Sequence, residues 1–450
     1  MRNKKWIIVA FLIFMVIQTM VAGCSKRDES TQEKIKPENT PQGFEGVITL
    51  WDFPKWANSK GNRFYWIEDM IEGFEKKHPG VFIELRKLTW EDGPFELQAA
   101  ISSGTQPDIA CISGNINFSW YETIEPLDEY LSSQDVADFH KGALEVVKHN
   151  GRIWGLPFYM TTHIMFLNLG IFKERKVEPP KDGIWTWEEF IAKLKKLTYD
   201  RNKDGRNDVY GFHSFIKEGY YNLWGIVMSD GACPLSSDLN SFTFHYPEAI
   251  DGLKKLSSLV NVYKVTHPDF GKATPEEAWT AFAAERKVAV YPAGSWAVKA
   301  LLEKQKEGEG FEFDVAYYPV GKLGMPNIIH PGVASYVVFK QKDEKKRKLC
   351  IEFVKEITST EQQKNLHLYG VFPARKSTGN IYINSPYMKR IQQNLEYTMP
   401  PPGHPRWREI EAIVQEEIRR VLLGEKEPEG AMNDAKKRID IILGSGHKVD

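Results

Sequence analysis

The sequence predicts an α/β protein of more than one domain, built from parallel-type sheets flanked by helices. Three observations carry this expectation. The chain has 450 residues, and one hydrophobic core commonly serves about 100 to 200. Short apolar runs of strand length alternate with amphipathic stretches of helix length, the order that produces β-α-β units and hence parallel pairing. Capping boxes then mark helix starts: Thr186 with Glu189, and Thr274 with Glu277, each just before apolar residues at helical spacing.

Taken in order, residues 47–51 read as a first strand, and Phe64, Ile67, Ile71 and Phe74 follow at helical spacing until His78, Pro79 and Gly80 stop the helix. Residues 81–85 read as a second strand, 97–101 as a second helix ended by Gly104, and 107–112 as a third strand. Further on, Phe190, Ile191, Leu194 and Leu197 share one helix face. Ala278, Trp279 and Phe282 lead into a strand at 288–291 and a turn at 292–294. The C-terminal stretch is helical, with Trp407, Ile410, Ile413, Ile418 and Leu422 ending at Gly424, then Ala431, Ala435, Ile439 and Leu443 ending at Gly444.

Composition narrows the function. Apolar residues make up 42% and charged residues 26%, which excludes a disordered, collagenous or polytopic membrane chain. The 59 Lys and Arg are matched by 60 Asp and Glu, so no cation excess exists to neutralise phosphates and nucleic acid is not expected as a partner. Arg2, Lys4 and Lys5 precede an apolar run over 6–17 that is too short to span a bilayer, and Val21, Ala22, Gly23 and Cys24 follow. Residues 1–23 therefore read as a signal peptide, and the four-residue pattern resembles the lipobox of bacterial prolipoproteins, with lipidation expected on Cys24. Losing residues 1–23, which hold three basic and no acidic side chains, takes the formal charge from −1 to −4. Residues 24–43 are too polar to offset their ordering entropy and read as a tether. Cys111, Cys233 and Cys350 lack C-x-x-C spacing and are expected to be buried free thiols.

Motifs of nucleophilic, phosphate-binding, zinc-peptidase and dinucleotide chemistry are absent from the sequence. Carboxylates are abundant, so a surface-tethered glycoside hydrolase stands as the alternative function, since its two carboxylates need no sequence motif. Asp200, Asn202, Asp204 and Asp208 place oxygen side chains at EF-hand-like positions 1, 3, 5 and 9, with Gly205 at 6. Gly211 occupies position 12, where a bidentate acid would complete a Ca²⁺ cage. The loop is a candidate for structural Ca²⁺, against an Asx-rich turn; no cofactor is required. The aromatics form the other signal. Trp56 follows the first strand, Tyr221 and Trp224 follow Gly219, and Trp296 and Trp407 each follow a Gly- or Pro-rich turn. Flat apolar rings on loops suit the C–H faces of sugars, whereas for any one Trp core packing is the commoner outcome.

Residues 102–109, Ser-Ser-Gly-Thr-Gln-Pro-Asp-Ile, resemble a signature of extracellular solute-binding proteins of sugar ABC transporters, related to maltose-binding protein. Similar matches follow in the family's order: Gly151 to Pro157, Asn168 before Phe172, Pro179-Pro180 with Thr186 to Phe190, Val288 to Val290 with Gly294 to Trp296, and Phe372 to Arg375. The resemblance covers about 44–444. It implies a two-lobed periplasmic-binding-protein-like fold of type II, with a hinge near 156–163, 331–336 and 372–378. The expected lobes are residues 44–157 with 334–375, and 158–333 with 376–444. It further implies a non-enzymatic monomer at the outer face of the cell membrane, held by its lipid anchor, that captures a mono- or oligosaccharide and delivers it to the permease subunits. Ligand contacts are implied at Trp56, Asn115, Tyr221, Trp224, Trp296 and Trp407, while Asp108 is expected to order a strand end.

Overall fold

Two larger sheets, packed against separate cores, organise the chain in the computed structural model, which describes residues 44–444 apart from Asn115 and 117–119. The first sheet has six strands in the order Phe372–Pro373, Leu156–Met160, Val333–Val338, Ile109–Ser113, Gly46–Asp52 and Val81–Lys87. The second has four, Phe313–Ala316, His163–Asn168, Val288–Gly294 and Tyr210–Phe212. The chain passes from the first sheet to the second between Met160 and His163, returns at Val333, and leaves again after Pro373.

Parallel pairing holds only where helices make the crossover, and the expectation of parallel-type sheets is corrected to mixed ones. Gly46–Asp52 pairs in parallel with both Val81–Lys87 and Ile109–Ser113, and Tyr210–Phe212 with Val288–Gly294. Val333–Val338, Leu156–Met160 and Phe372–Pro373 pair antiparallel, as do Phe313–Ala316 and Val288–Gly294 with His163–Asn168. These reversals involve the strands next to the crossings between sheets, where the chain need not make a helical return.

Both faces of each sheet are covered, which is why His163–Asn168 is buried throughout. Its alternate side chains divide between two cores: Met165 and Leu167 pack with Phe190, Phe212 and Trp224, whereas Ile164 and Phe166 pack with Phe282, Tyr291 and Leu301. The six-stranded sheet has a core of its own, around Ile48, Leu50, Phe74, Ile109 and Phe158. Both capping boxes form. Thr186 Oγ1 accepts from Glu189 N at 3.2 Å while the Glu189 carboxylate accepts from Thr186 N at 3.0 Å, and Thr274 and Glu277 repeat this at 3.2 and 2.9 Å. Asp108 ties two strands together, its Oδ2 accepting from Thr49 N at 2.7 Å and pairing with Lys346 at 2.8 Å. Cys111 and Cys350 are buried thiols, but Cys233 is exposed, which corrects the expectation of three buried ones. Among the described residues no helix is long and apolar enough to cross a membrane. Cys24, the expected lipidation site, lies outside the described residues.

Candidate functional site: the crevice between the two sheets

Asp52 ends the first strand, and a buried ion pair there shapes the segment 53–56. Lys55 Nζ meets Asp52 Oδ2 at 2.6 Å, and the Tyr336 hydroxyl donates to Asp52 Oδ1 at 3.1 Å. The Lys55 ammonium also lies 5.2 Å from the Trp66 ring centroid, so a charge taken out of water is compensated on every side. This knot turns the chain so that Phe53 stacks on Trp90 at 4.2 Å and Trp56 packs 5.3 Å from Trp66 and 6.3 Å from Tyr369. A Cβ on Gly93 would stand 2.7 Å from the Phe53 ring, so only glycine leaves room for that stack. Trp56 itself is buried, its Nε1 donating to the Tyr65 hydroxyl at 2.6 Å.

Trp296 approaches from the four-stranded sheet. It opens the helix Trp296–Lys306 directly after the strand Val288–Gly294, at the strand's C-terminal edge. The residue is 44% exposed, and its ring packs 4.9 Å from Trp279. Gly370, at φ +79, lets the turn after Tyr369 press against the helix start, because a Cβ there would stand 3.3 Å from Trp296 Cα. Trp56 and Trp296 therefore flank one turn, Tyr369–Gly370. Trp90 and Tyr369 were not singled out by sequence, since half-burial of an aromatic is set by elements that distant parts of the chain bring against it.

The other expected contacts gather elsewhere. Tyr221, Trp224 and Trp407 form one aromatic cluster: Trp224 lies 5.2 Å from Tyr221 and 6.1 Å from Trp407. Trp224 is 0% exposed, so in this conformation its ring offers no face to a ligand. Helical spacing carries the same aromatics into a core as onto a rim, which is why sequence did not separate them. Asn115 lies outside the described residues.

Contacts also cross the crevice at its rim. Lys217 Nζ pairs with Glu91 Oε1 at 2.8 Å, and the Arg408 guanidinium lies 4.8 Å over Phe95. Glu91, Lys217, Lys272, Thr274, Glu276 and Arg419 belong to the lining of a cavity of about 400 Å³ beside that pair. Behind it, Glu411 accepts from Gly219 N at 2.9 and 3.0 Å and from Gln415 Nε2 at 2.9 Å. Burial pushes its carboxyl up to about 7.

The loop holding Asp200, Asn202, Asp204 and Asp208 is closed by its own side chains. Asp200 Oδ1 accepts from Lys203 N at 2.6 Å and Oδ2 from Gly205 N at 2.7 Å. Asn202 Oδ1 accepts from Asp204 N at 2.9 Å, Asp204 Oδ1 from Arg206 N at 2.9 Å, and Asp208 Oδ1 from Arg201 N at 2.7 Å. These are Asx turns. Among the described residues no group of three or more His, Cys, Asp or Glu side chains is arranged to hold a metal ion.

Comparison with known proteins agrees with this architecture. The arabinooligosaccharide-binding protein of Bacillus subtilis is 28% identical over 257 residues, 54% of this chain and 54% of that protein. Among solved structures, an ABC substrate-binding protein of Listeria monocytogenes in complex with cycloalternan superposes with a TM-score of 0.72 at 22% identity, covering 89% of this chain and 100% of that one. The maltose/maltodextrin-binding domain of Bdellovibrio bacteriovorus bound to maltotriose gives 0.70 at 21% identity, covering 89% and 99%. These likenesses establish the two-lobed fold. The family model for bacterial extracellular solute-binding proteins matches residues 57–364, and the chain belongs to that family.

Proposed function

We propose that this protein is the receptor of a sugar ABC transporter, capturing a mono- or oligosaccharide between its lobes and delivering it uncut to the membrane permease. The observation that carries the reading is the exposed indole of Trp296 at a strand's C-terminal edge, across the turn Tyr369–Gly370 from Trp56 and Trp90. An aromatic face packs on sugar C–H groups while polar neighbours address hydroxyls, and closure of two lobes about crossing segments encloses the ligand. Similar proteins include an arabinooligosaccharide-binding protein and a maltotriose-binding protein. The order of charged, apolar and small residues before Cys24 supports a lipid anchor at the outer face of the cell membrane, joined to the lobes through residues 24–43.

A thermal-shift screen against mono- and oligosaccharides tests the reading, since a ligand at 100 times its Kd adds about 2.7 kcal/mol. A melting temperature unmoved by every sugar would refute it. Recovery of cleaved oligosaccharide would instead establish a hydrolase. For the anchor, fatty-acid labelling should mark the wild type and spare Cys24→Ser; equal labelling of both removes the lipid from the proposal.

A further inference from the structure

Three buried polar atoms without hydrogen-bond partners among the described residues converge where the chain crosses between the lobes: His163 Nδ1, His330 Nδ1 and Asn394 Oδ1. His163 opens the strand that follows the first crossing and stands opposite Gly294 in register. His330 directly precedes the return to the six-stranded sheet, held by its N–H donating to Met399 O at 3.0 Å. The two imidazoles meet edge to face, with centroids 4.2 Å apart and planes at 75°. Asn394 fixes the same corner, its Nδ2 donating to His163 O at 2.8 Å and to Thr162 Oγ1 at 3.1 Å.

This corner adjoins the exposed indole. A Cβ on Gly294 would stand 2.7 and 2.8 Å from Trp296 Cδ1 and Nε1, and 3.8 Å from His163 Cδ2. Glycine is therefore required there for Trp296 to lean back over the strand toward the His163 ring. His163 is only 8% exposed.

An orphaned buried polar atom typically costs about 1 to 3 kcal/mol, and three on neighbouring residues mark a place where partners arrive rather than a packing arrangement, which apolar rings would serve better. Burial keeps both imidazoles neutral at neutral pH, holding His330 down at about 4 and His163 well below its ordinary value. Each then carries one donor and one acceptor nitrogen, and a hydroxyl likewise both donates and accepts. A carboxylate or phosphate would find no cation in this pair, whereas a polyhydroxyl ligand is matched at both nitrogens.

We propose that His163 and His330 are ligand contacts, an imidazole pair at the crossing between the lobes that hydrogen-bonds hydroxyl groups of a sugar ring stacked on Trp296. The assignment rests on the receptor reading above, and names the residues by which it distinguishes hydroxyl-bearing ligands.

His163→Phe and His330→Phe keep the ring volume and remove the nitrogens. Calorimetric titration with maltotriose, arabinotriose and cycloalternan should show at least tenfold weaker binding in each variant for whichever sugar the wild type binds, with the ligand-free melting temperature kept or raised. Wild-type affinity in both variants overturns the assignment alone, leaving a structural pair. Should none of the three bind, the titrations are run with the sugar that raises the wild-type melting temperature most in the thermal-shift screen; wild-type protein that no mono- or oligosaccharide of that screen stabilises overturns the receptor reading and this assignment together. On wild-type protein labelled with 15N-histidine, saturating sugar should move two imidazole signals of neutral tautomers, assigned through the same variants; unmoved signals in a protein that binds the sugar overturn the proposal even if a variant fails to fold.

Discussion

Trp407 donates its indole N–H to the hydroxyl of Tyr221 at 2.9 Å, and both rings are buried. The bond joins the first turn of the helix Trp407–Leu422 to the segment before Trp224, so the cluster fastens the C-terminal helices to the four-stranded lobe. Trp296, which occupies an equivalent helix start, has no such enclosure.

The two tryptophans should therefore separate. Trp407→Ala should lower unfolding free energy by about 3 to 5 kcal/mol, the range for truncating a large buried aromatic. Trp296→Ala should stay within about 1 kcal/mol of wild type while weakening sugar binding roughly ten- to a hundredfold. Urea melts beside calorimetric titrations decide it, and a stable Trp407→Ala that has lost sugar binding would return Trp407 to the ligand surface.

Glu411 makes stability depend on pH in an unusual direction. Burial raises its folded pKa to about 7 from an ordinary 4.5, so the neutral form is the one the fold prefers. Its contribution is fully present below 4.5 and is lost as pH rises through 7. Glu411→Gln should gain on the wild type by on the order of 2 to 3 kcal/mol between pH 5 and pH 8. Denaturation midpoints at the two pH values measure this; an identical offset at both would show that Glu411 stays charged throughout.

His213 acts on the acid side. It is buried with Nδ1 unpaired among the described residues, 4.5 Å from the His267 ring, and burial lowers its pKa to about 3. Because the folded value lies below the ordinary 6.5, its neutral-state stability is present above 6.5 and is lost as pH falls toward 3, at up to about 1.4 kcal/mol per pH unit. His213→Phe should flatten the fall in melting temperature between pH 6 and pH 4, and an unchanged slope would assign that fall to other groups.

The Lys217 and Glu91 pair crosses the crevice but sits in water, with side-chain exposures of 36% and 69%. Screening makes such pairs weak. Glu91→Gln should change sugar affinity by no more than about twofold at physiological salt, with the difference vanishing at high salt. A loss of tenfold or more, persisting at high salt, would show that Glu91 itself touches the ligand.

The loop from Asp200 to Asp208 has its carboxylate oxygens on backbone N–H groups, so it holds its shape through Asx turns. Chelator should leave the melting temperature where calcium leaves it, and Asp200→Ala should lower both equally. A drop caused by chelator alone, abolished by Asp204→Ala, would establish that Ca²⁺ completes the loop after all.

Alternating apolar runs, capping boxes and turn residues were enough to determine the α/β class, the starts of the helices at Trp187 and Pro275, and the placing of Trp296 and Trp407 at the first turns of helices. These are local properties, set by hydrogen bonds and periodicities within a few residues of each position. Strand direction was not local: the chain re-enters the first sheet antiparallel at Val333, more than two hundred residues after the strand Ile109–Ser113 that it joins. Nor was burial, because Trp224 and Trp296 each open a helix and differ in what the other elements bring against them. The pair of His163 and His330 was invisible in sequence for the same reason, as two scattered histidines meet only when separate crossing segments are laid side by side.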